Sequence, residues 1–135
     1  MIHVFCNKRG SGKTKALISL ANETVTRVNG NVVYIDDDDR PLLQLHRRIR
    51  FIKTEDFDLK KQESFYGFLC GILSEDYDID TIFIDGLFNI VEENIQKAAH
   101  LFYCIEKLST KNNVDFYINI NGDKEMPDFI MKYVA

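Results

Sequence analysis

The chain has 135 residues, of which 45% are hydrophobic and 28% are charged, a composition typical of a single globular domain spanning residues 1–135. The 17 basic and 21 acidic side chains give a formal net charge of −4, which argues against nucleic acid or a membrane surface as the main partner, because both attract positive charge. Three well-separated cysteines predict no disulfide framework and a cytoplasmic location.

The first predicted elements form a strand, a loop, a helix and a second strand. Residues 2–6 (IHVFC) are short and apolar, as in a buried parallel strand. Apolar residues recur at steps of three and four over residues 13–28, which predicts a helix that ends at Asn29-Gly30. Residues 31–36 (NVVYID) predict the second strand. Together they indicate a βαβ unit with a right-handed crossover.

The middle of the chain is less regular. Pro41 predicts the start of a short helix that runs to His46. Residues 50–54 predict a short strand, and residues 63–73 predict a helix with its apolar side chains on one face.

The last part of the chain contains two further apolar runs. Residues 81–85 (TIFID) and 115–120 (DFYINI) predict buried strands, and a short helix is predicted near Pro127. The alternation of strands and helices predicts an α/β fold with a mainly parallel sheet of about five strands. One long helix between the last two strands is predicted from apolar residues at helical spacing: Val91, Ile95, Ala98, Phe102, Ile105 and Leu108.

The segment NKRGSGKT (residues 7–14), called the glycine loop below, follows the first predicted strand. It fits the phosphate-binding pattern G-x-x-x-x-G-K-[ST] except that Asn7 replaces the first glycine. Such a loop presents backbone N–H groups and a helix N-terminus to a phosphate. We therefore predict nucleotide binding by all eight residues: Asn7, Lys8, Arg9, Gly10, Ser11, Gly12, Lys13 and Thr14.

Individual residues of the glycine loop have separate predicted roles. Lys13 would reach the β- and γ-phosphates of ATP, and the hydroxyl of Thr14 would ligate Mg²⁺. Asn7 is expected to replace glycine because asparagine enters the left-handed conformation more readily than most residues. The alternative is a chance Gly-Lys-Thr sequence that caps a helix.

Asp85 ends the apolar strand TIFID, where a carboxylate would orient Mg²⁺. Lys13 and Asp85 are therefore the predicted catalytic residues, although Asp85 is also placed to cap the following turn. Many ATP-hydrolysing proteins have glutamate next, but here the next residue is Gly86. Glu92 and Glu93 are expected inside the following helix, so the sequence supports ATP binding more firmly than hydrolysis.

Two other polar groups follow predicted strands. Four aspartates occupy residues 36–39, and Asp38 and Asp39 are further candidates for Mg²⁺ ligation, with an exposed acidic loop as the alternative. Asn119 and Asn121 end the last strand, where additional-strand P-loop ATPases carry a polar sensor of the γ-phosphate. A simple Asn-Gly turn is the alternative for Asn121.

The basic and sulfur-containing residues give weaker indications. His100 and Cys104 are four residues apart on a predicted helix, but the sequence offers no third ligand for a metal ion. Four arginines are candidates for binding an acidic partner or for neutralising a transferred phosphate, and a solvated surface is the alternative: Arg40, Arg47, Arg48 and Arg50.

The whole chain resembles a group of short bacterial P-loop proteins that often carry a twitching-motility (PilT-like) ATPase label. The resemblance lies in the glycine loop and in the segments FYGFLCGIL, DIDTIFIDGLF and EKLSTKNNVDFYI. That group has a loop similar to G-x-K-G-S-G-K-T, from which Asn7 departs. The resemblance implies a P-loop NTPase three-layer sandwich that binds ATP, without a defined reaction.

The glycine loop also resembles the deviant K-G-G-x-G-K-T loop of the partition and septum-placement ATPases (the ParA/MinD class). This resemblance implies a homodimer in which Lys8 reaches across to the partner's nucleotide, although Arg9 stands where that loop has glycine. The run VVYIDDDD is similar to a strand of that class which ends in D-x-D.

Three functions are consistent with these residues. The first is an Mg²⁺-dependent ATP-binding protein that hydrolyses ATP slowly. The second is a nucleotide-switched dimer or partner-binding module, and the third is a small nucleoside or metabolite kinase. ATP is preferred over GTP because the sequence lacks the NKxD base-reading motif: INGD at residues 120–123 does not match it, and the Asn7-Lys8 pair lies in the glycine loop.

Overall fold

The structure, a computed structural model, describes residues 1–8, 10, 12–122 and 125–134, without the side chain of Asn7. The described part contains five strands, five helices and three short 3₁₀ segments. The strands are β1 (Ile2–Asn7), β2 (Asn31–Asp36), β3 (Arg50–Lys53), β4 (Ile79–Asp85) and β5 (Asp115–Asn121). The helices are α1 (Lys13–Arg27), α2 (Gln62–Glu75), α3 (Leu87–Ile90), α4 (Ala99–Asn112) and α5 (Asp128–Met131).

All five strands are parallel and lie in the order β1-β5-β4-β2-β3. The predicted α/β fold with a mainly parallel sheet of about five strands is confirmed. Residues 32–35 of β2 and 82–84 of β4 are fully buried, as expected for apolar strands covered on both faces. Because β5 lies between β1 and β4, the ends of these three strands are side by side.

Helices cover both faces of the sheet, which gives three layers. Leu17 of α1 packs against Phe83 of β4 on one face. On the other face, Phe65 of α2 and Phe102 of α4 share a core with Ile84 of β4, and α5 joins the same core. Alternate residues of β4 therefore face opposite helical layers, which fixes the side of the sheet on which Asp85 lies.

Stacked aromatic rings cross the sheet beneath α1. The ring centroids of Tyr34 and Phe83 are 6.0 Å apart, and those of Phe83 and Tyr117 are 5.1 Å apart. Side chains alternate along a strand, so the residues two positions later face the same way. These residues are polar: Asp36 and Asp85 end β2 and β4, and Asn119 lies two residues before the end of β5.

The predicted long helix over residues 91–108 is wrong. Helix α3 ends at Ile90, an irregular segment and a 3₁₀ turn (Ile95–Lys97) follow, and α4 begins only at Ala99. The side chain of Asn94 accepts a hydrogen bond from the N–H of Gln96 and caps the 3₁₀ turn. Val91 is nonetheless fully buried, so its apolar side chain reflects packing from irregular backbone rather than a helical face.

The shorter elements follow the predictions in part. Strand β3 lies within the predicted residues 50–54, and α5 begins directly after Pro127. The helix predicted from Pro41 to His46 is reduced to a 3₁₀ turn at Leu42–Gln44. The loop after β2 is therefore mainly irregular.

The three cysteines, Cys6, Cys70 and Cys104, are free thiols, in agreement with the expectation of no disulfide framework. Among the described residues, no helix combines the length and the apolar character needed to cross a membrane.

Candidate functional site

The glycine loop joins β1 to α1 at the carboxyl edge of the sheet. Asn7 is the last residue of β1 and pairs with Asn121, so the prediction of a left-handed turn at Asn7 is wrong. The left-handed residues in the described part of the loop are Gly10 and Gly12, each with φ of +82°. A Cβ atom built on either glycine meets nothing within 4 Å, so the backbone is open on that side. Arg9 and Ser11 lie outside the described residues.

Helix α1 begins directly after the loop. Gly12 is its N-cap and provides no side-chain cap, although its carbonyl accepts a hydrogen bond from the N–H of Ala16. The first turn therefore presents backbone N–H groups towards the loop. A groove of about 440 Å³, called the outer groove below, is lined here by Gly10, Gly12, Lys13 and Thr14, among others. Lys8, two residues before Gly10 in the sequence, is exposed.

Lys13 lines two separate spaces at the carboxyl edge of the sheet. Its Nζ atom donates a hydrogen bond of 2.8 Å to Oδ1 of Asn121 at the end of β5. Lys13 lines the outer groove and also a second space of about 480 Å³, called the inner cavity below. The predicted phosphate ligand Lys13 and the predicted sensor Asn121 are therefore in direct contact.

Asp85 is the buried centre of the site. Its Oδ1 atom accepts a hydrogen bond of 3.2 Å from the hydroxyl of Thr14, and its Oδ2 atom accepts one of 2.7 Å from the hydroxyl of Tyr34. Burial, followed by the charge and hydrogen bond of Asp85, raises the pKa of Tyr34 above its ordinary range. Both residues predicted to hold Mg²⁺, Thr14 and Asp85, are brought together from positions 71 residues apart.

Asp36 lies beside Asp85 on the neighbouring strand. Ile35 of β2 pairs with Ile84 of β4, which places the next residue of each strand side by side. Burial raises the pKa of Asp36 to about 9, and a hydrogen bond with Asp37 and the charge of Asp85 act in the same direction. The Asp36 carboxyl therefore keeps its proton to a higher pH than an ordinary carboxyl does.

The sequence analysis favoured Asp38 and Asp39 over Asp36. Asp38 pairs instead with Arg40 at 2.7 Å, which lowers the pKa of the Asp38 carboxyl, and Asp39 is exposed. Potential ligand oxygens of Asp36, Asp37 and Asp38 do lie within 4.8 Å of one another. The signal for Asp36 was available in the sequence, because it follows the buried Tyr34 by two positions on the same strand.

Replacement of Asp36 by asparagine is expected to change how stability depends on pH. The folded protein holds a proton on Asp36 up to about pH 9, whereas the ordinary carboxyl value is 3.8, so unfolding releases a proton between these values. The stability of the unaltered protein should therefore fall as pH rises through this window, by up to about 1.4 kcal/mol per pH unit. Asp36→Asn should lack this contribution.

Thermal unfolding in EDTA at several values between pH 5 and pH 9 measures this difference. As pH rises, the melting temperature of Asp36→Asn should increase relative to that of the unaltered protein. Asp38→Asn is the control, because its carboxyl has the opposite pKa shift and is partly exposed. Parallel curves for Asp36→Asn and the unaltered protein would contradict the prediction.

Asn119 and Gly86 connect β5 to the loop after β4. The buried side chain of Asn119 accepts a hydrogen bond from the N–H of Gly86, while its Nδ2 atom has no partner among the described residues. Gly86 has φ of +69°, and a Cβ atom there would lie 2.6 Å from Nδ2 of Asn89. The left-handed backbone therefore favours glycine at position 86, and a glutamate after Asp85 would be strained there.

The remaining candidates lie apart from this site or at its edge. Arg48 donates to the backbone carbonyl of Val25, and Arg47 and Arg50 are exposed. The Sγ atom of Cys104 is 3.5 Å from Nε2 of His100. Within the described ranges, these two residues have no third histidine, cysteine or carboxylate close enough to complete a metal site.

The sequence matches no protein-family model and no curated protein. The resemblances to the PilT-like group and to the ParA/MinD class therefore stay predictions that rest on the motif residues. The structure contributes a separate observation, which is the contact between the hydroxyl of Thr14 and the carboxylate of Asp85.

Proposed function

We propose that this protein binds ATP in an Mg²⁺-dependent manner as a P-loop nucleotide-binding domain. The observation that carries the proposal is the 3.2 Å contact between the Thr14 hydroxyl and the Asp85 carboxylate. Both are oxygen ligands of the kind that Mg²⁺ prefers. They meet where the first turn of α1 faces the ends of β4 and β5, which is the edge of a parallel sheet where ligands bind.

The glycine loop supports the binding of phosphates. Gly10 and Gly12 leave one side of the backbone open, so that a large anion can approach the N–H groups closely. The N-terminus of α1 contributes the positive end of the helix dipole. Lys13 would exchange its hydrogen bond with Asn121 for the β- and γ-phosphate oxygens, which are stronger acceptors because they are charged.

Thr14 and Asp85 fit the magnesium ion that accompanies ATP. Mg²⁺ would neutralise phosphate charge and hold the β- and γ-phosphates in a fixed orientation. Tyr34 already donates to one oxygen of Asp85, which leaves the oxygen next to Thr14 to face the ion. The raised pKa of Asp36 reduces the negative charge beside Asp85.

Calorimetric titration of the purified protein with ATP in Mg²⁺, and again in EDTA, tests the proposal. We expect a Kd in the micromolar range with Mg²⁺, which corresponds to roughly −8 kcal/mol, and at least about tenfold weaker binding in EDTA. A parallel titration with GTP tests the preference for adenine. Absence of binding heat at two temperatures would contradict the proposal.

A nucleotide-switched module is the second candidate function. It is favoured by two hydrogen bonds that β5 accepts: Asn121 accepts one from Lys13, and Asn119 accepts one from the N–H of Gly86. Phosphates that replace Asn121 as the acceptor for Lys13 would therefore shift the end of β5. Because Asn119 of β5 binds Gly86, the loop after β4 would move with it. An oligomer that forms only with ATP would favour this function, and the exposed Lys8 would then be tested at the interface.

A further inference from the structure

The inner cavity and the outer groove share Lys13 as a lining residue. The inner cavity has a volume of about 480 Å³, which leaves room for a terminal phosphate and a water molecule. The amides of Asn89 and Asn121 line it together with Lys13. Glu93 is the one carboxylate among its described lining residues.

Glu93 reaches the inner cavity because the chain after α3 is not helical. The N–H of Glu92 donates a hydrogen bond of 2.9 Å to the carbonyl of Lys60, and the carboxylate of Glu92 lies 3.9 Å from Nζ of Lys60. Glu92 lines a different cavity, together with Asp37 and Thr54. Two consecutive glutamates therefore line separate cavities.

The backbone at position 86 disfavours a glutamate directly after Asp85. Gly86 also lines the inner cavity, but a side chain there would have to adopt a strained left-handed backbone and displace the amide of Asn89. A water molecule that attacks a phosphate needs a group that accepts its proton. In this cavity the acceptor among the described residues is Glu93.

We propose that Glu93 is the general base for the hydrolysis of bound ATP, an inference that rests on the proposed ATP binding. The oxygen of a water molecule in the inner cavity forms a bond to the γ-phosphorus. The bond between the γ-phosphorus and the bridging oxygen to the β-phosphate breaks, and ADP leaves with that oxygen. The proton of the water passes to the carboxylate of Glu93, and inorganic phosphate is the second product.

Single-turnover hydrolysis, with protein in excess over Mg²⁺-ATP, tests Glu93 separately from product release. Glu93→Gln should lower the rate by roughly 10²–10⁴-fold, the usual contribution of a general base. The affinity for ATP should stay within about twofold, because Glu93 is exposed and repels rather than holds phosphates. Glu92→Gln is the matched control and should leave the rate unchanged.

Chemical rescue separates a proton-accepting role from a structural one. Glu93→Ala opens space for a small carboxylate, so added sodium formate should restore part of its activity, whereas sodium chloride at equal ionic strength should not. Formate should have no effect on the unaltered protein or on Glu92→Gln. A structural role for Glu93 would not be restored in this way.

The outcomes distinguish the two proposals. No binding of ATP to the unaltered protein would overturn the proposed function. Binding without release of phosphate, or equal rates for Glu93→Gln and the unaltered protein, would overturn the role of Glu93 and leave ATP binding intact. Loss of rate in Glu93→Gln with formate rescue of Glu93→Ala would support both.

Discussion

Replacing Lys13 with alanine is expected to weaken ATP binding strongly. The ammonium group would form charge-assisted contacts with the β- and γ-phosphates, and loss of about 3 kcal/mol corresponds to a Kd raised by roughly 100-fold or more. The 2.8 Å contact with Asn121 holds the ammonium group at the junction of the outer groove and the inner cavity. Calorimetric titration with Mg²⁺-ATP measures the change.

The control for this variant is Lys111→Ala. Lys111 is exposed near the end of α4, just before β5 begins, and therefore lies at the edge of the sheet opposite the glycine loop. Its removal takes away the same charge without touching the proposed site. If Lys13→Ala bound ATP as tightly as Lys111→Ala, phosphate binding by the glycine loop would be refuted.

Replacing Asp85 with asparagine is expected to remove the effect of Mg²⁺ on ATP affinity. The amide keeps the shape of the side chain and an acceptor for Tyr34, but it lacks the charge that would attract the ion. A charged ligand contact worth about 1.5–3 kcal/mol corresponds to roughly 10–100-fold in affinity. Titrations with ATP in Mg²⁺ and in EDTA should therefore give nearly equal Kd values for this variant.

Asp80→Asn provides the comparison on the same strand. Asp80 lies near the opposite end of β4, where its carboxylate accepts a hydrogen bond from the hydroxyl of Thr81. Its replacement should preserve the difference between Mg²⁺ and EDTA. A full response to Mg²⁺ in Asp85→Asn would mean that the ion, if bound, is held by other residues, with the aspartates at positions 36–38 as the first to test.

The strands could be predicted from the sequence because each is a short apolar run bounded by polar residues. Buried parallel strands need such runs on both faces, and β2, β4 and β5 have them. The order of the strands could not be predicted, since no local pattern states that β5 lies between β1 and β4. That order brings Asn119 and Asn121 next to the loop and to Asp85.

The failure over residues 91–108 has a physical cause. Val91 and Ala98 are buried by contact with the core, although neither lies within a helix. Helical spacing of apolar residues does not distinguish a helix from an irregular segment that packs on the same core. The side-chain cap formed by Asn94 was the local signal for a break.

The candidate site was predicted in its outline and missed in its details. The spacing in GKT and the strand TIFID identified Lys13, Thr14 and Asp85, which the structure places in one site. Asp36 was passed over although its place at the end of the strand, two positions after Tyr34, indicated burial. Glu93 was assigned to a helix, so its position in the inner cavity could not be foreseen.

The hydrogen bond from Tyr34 to Asp85 has an optical consequence. The chain has six tyrosines and no tryptophan, so its intrinsic fluorescence comes from tyrosine. A phenol that donates to a carboxylate emits weakly, because the excited phenol transfers its proton readily to that acceptor. If a cation binds at Asp85, the proton transfer should weaken and the fluorescence of Tyr34 should rise, so tyrosine emission would report occupancy of the site without an attached dye.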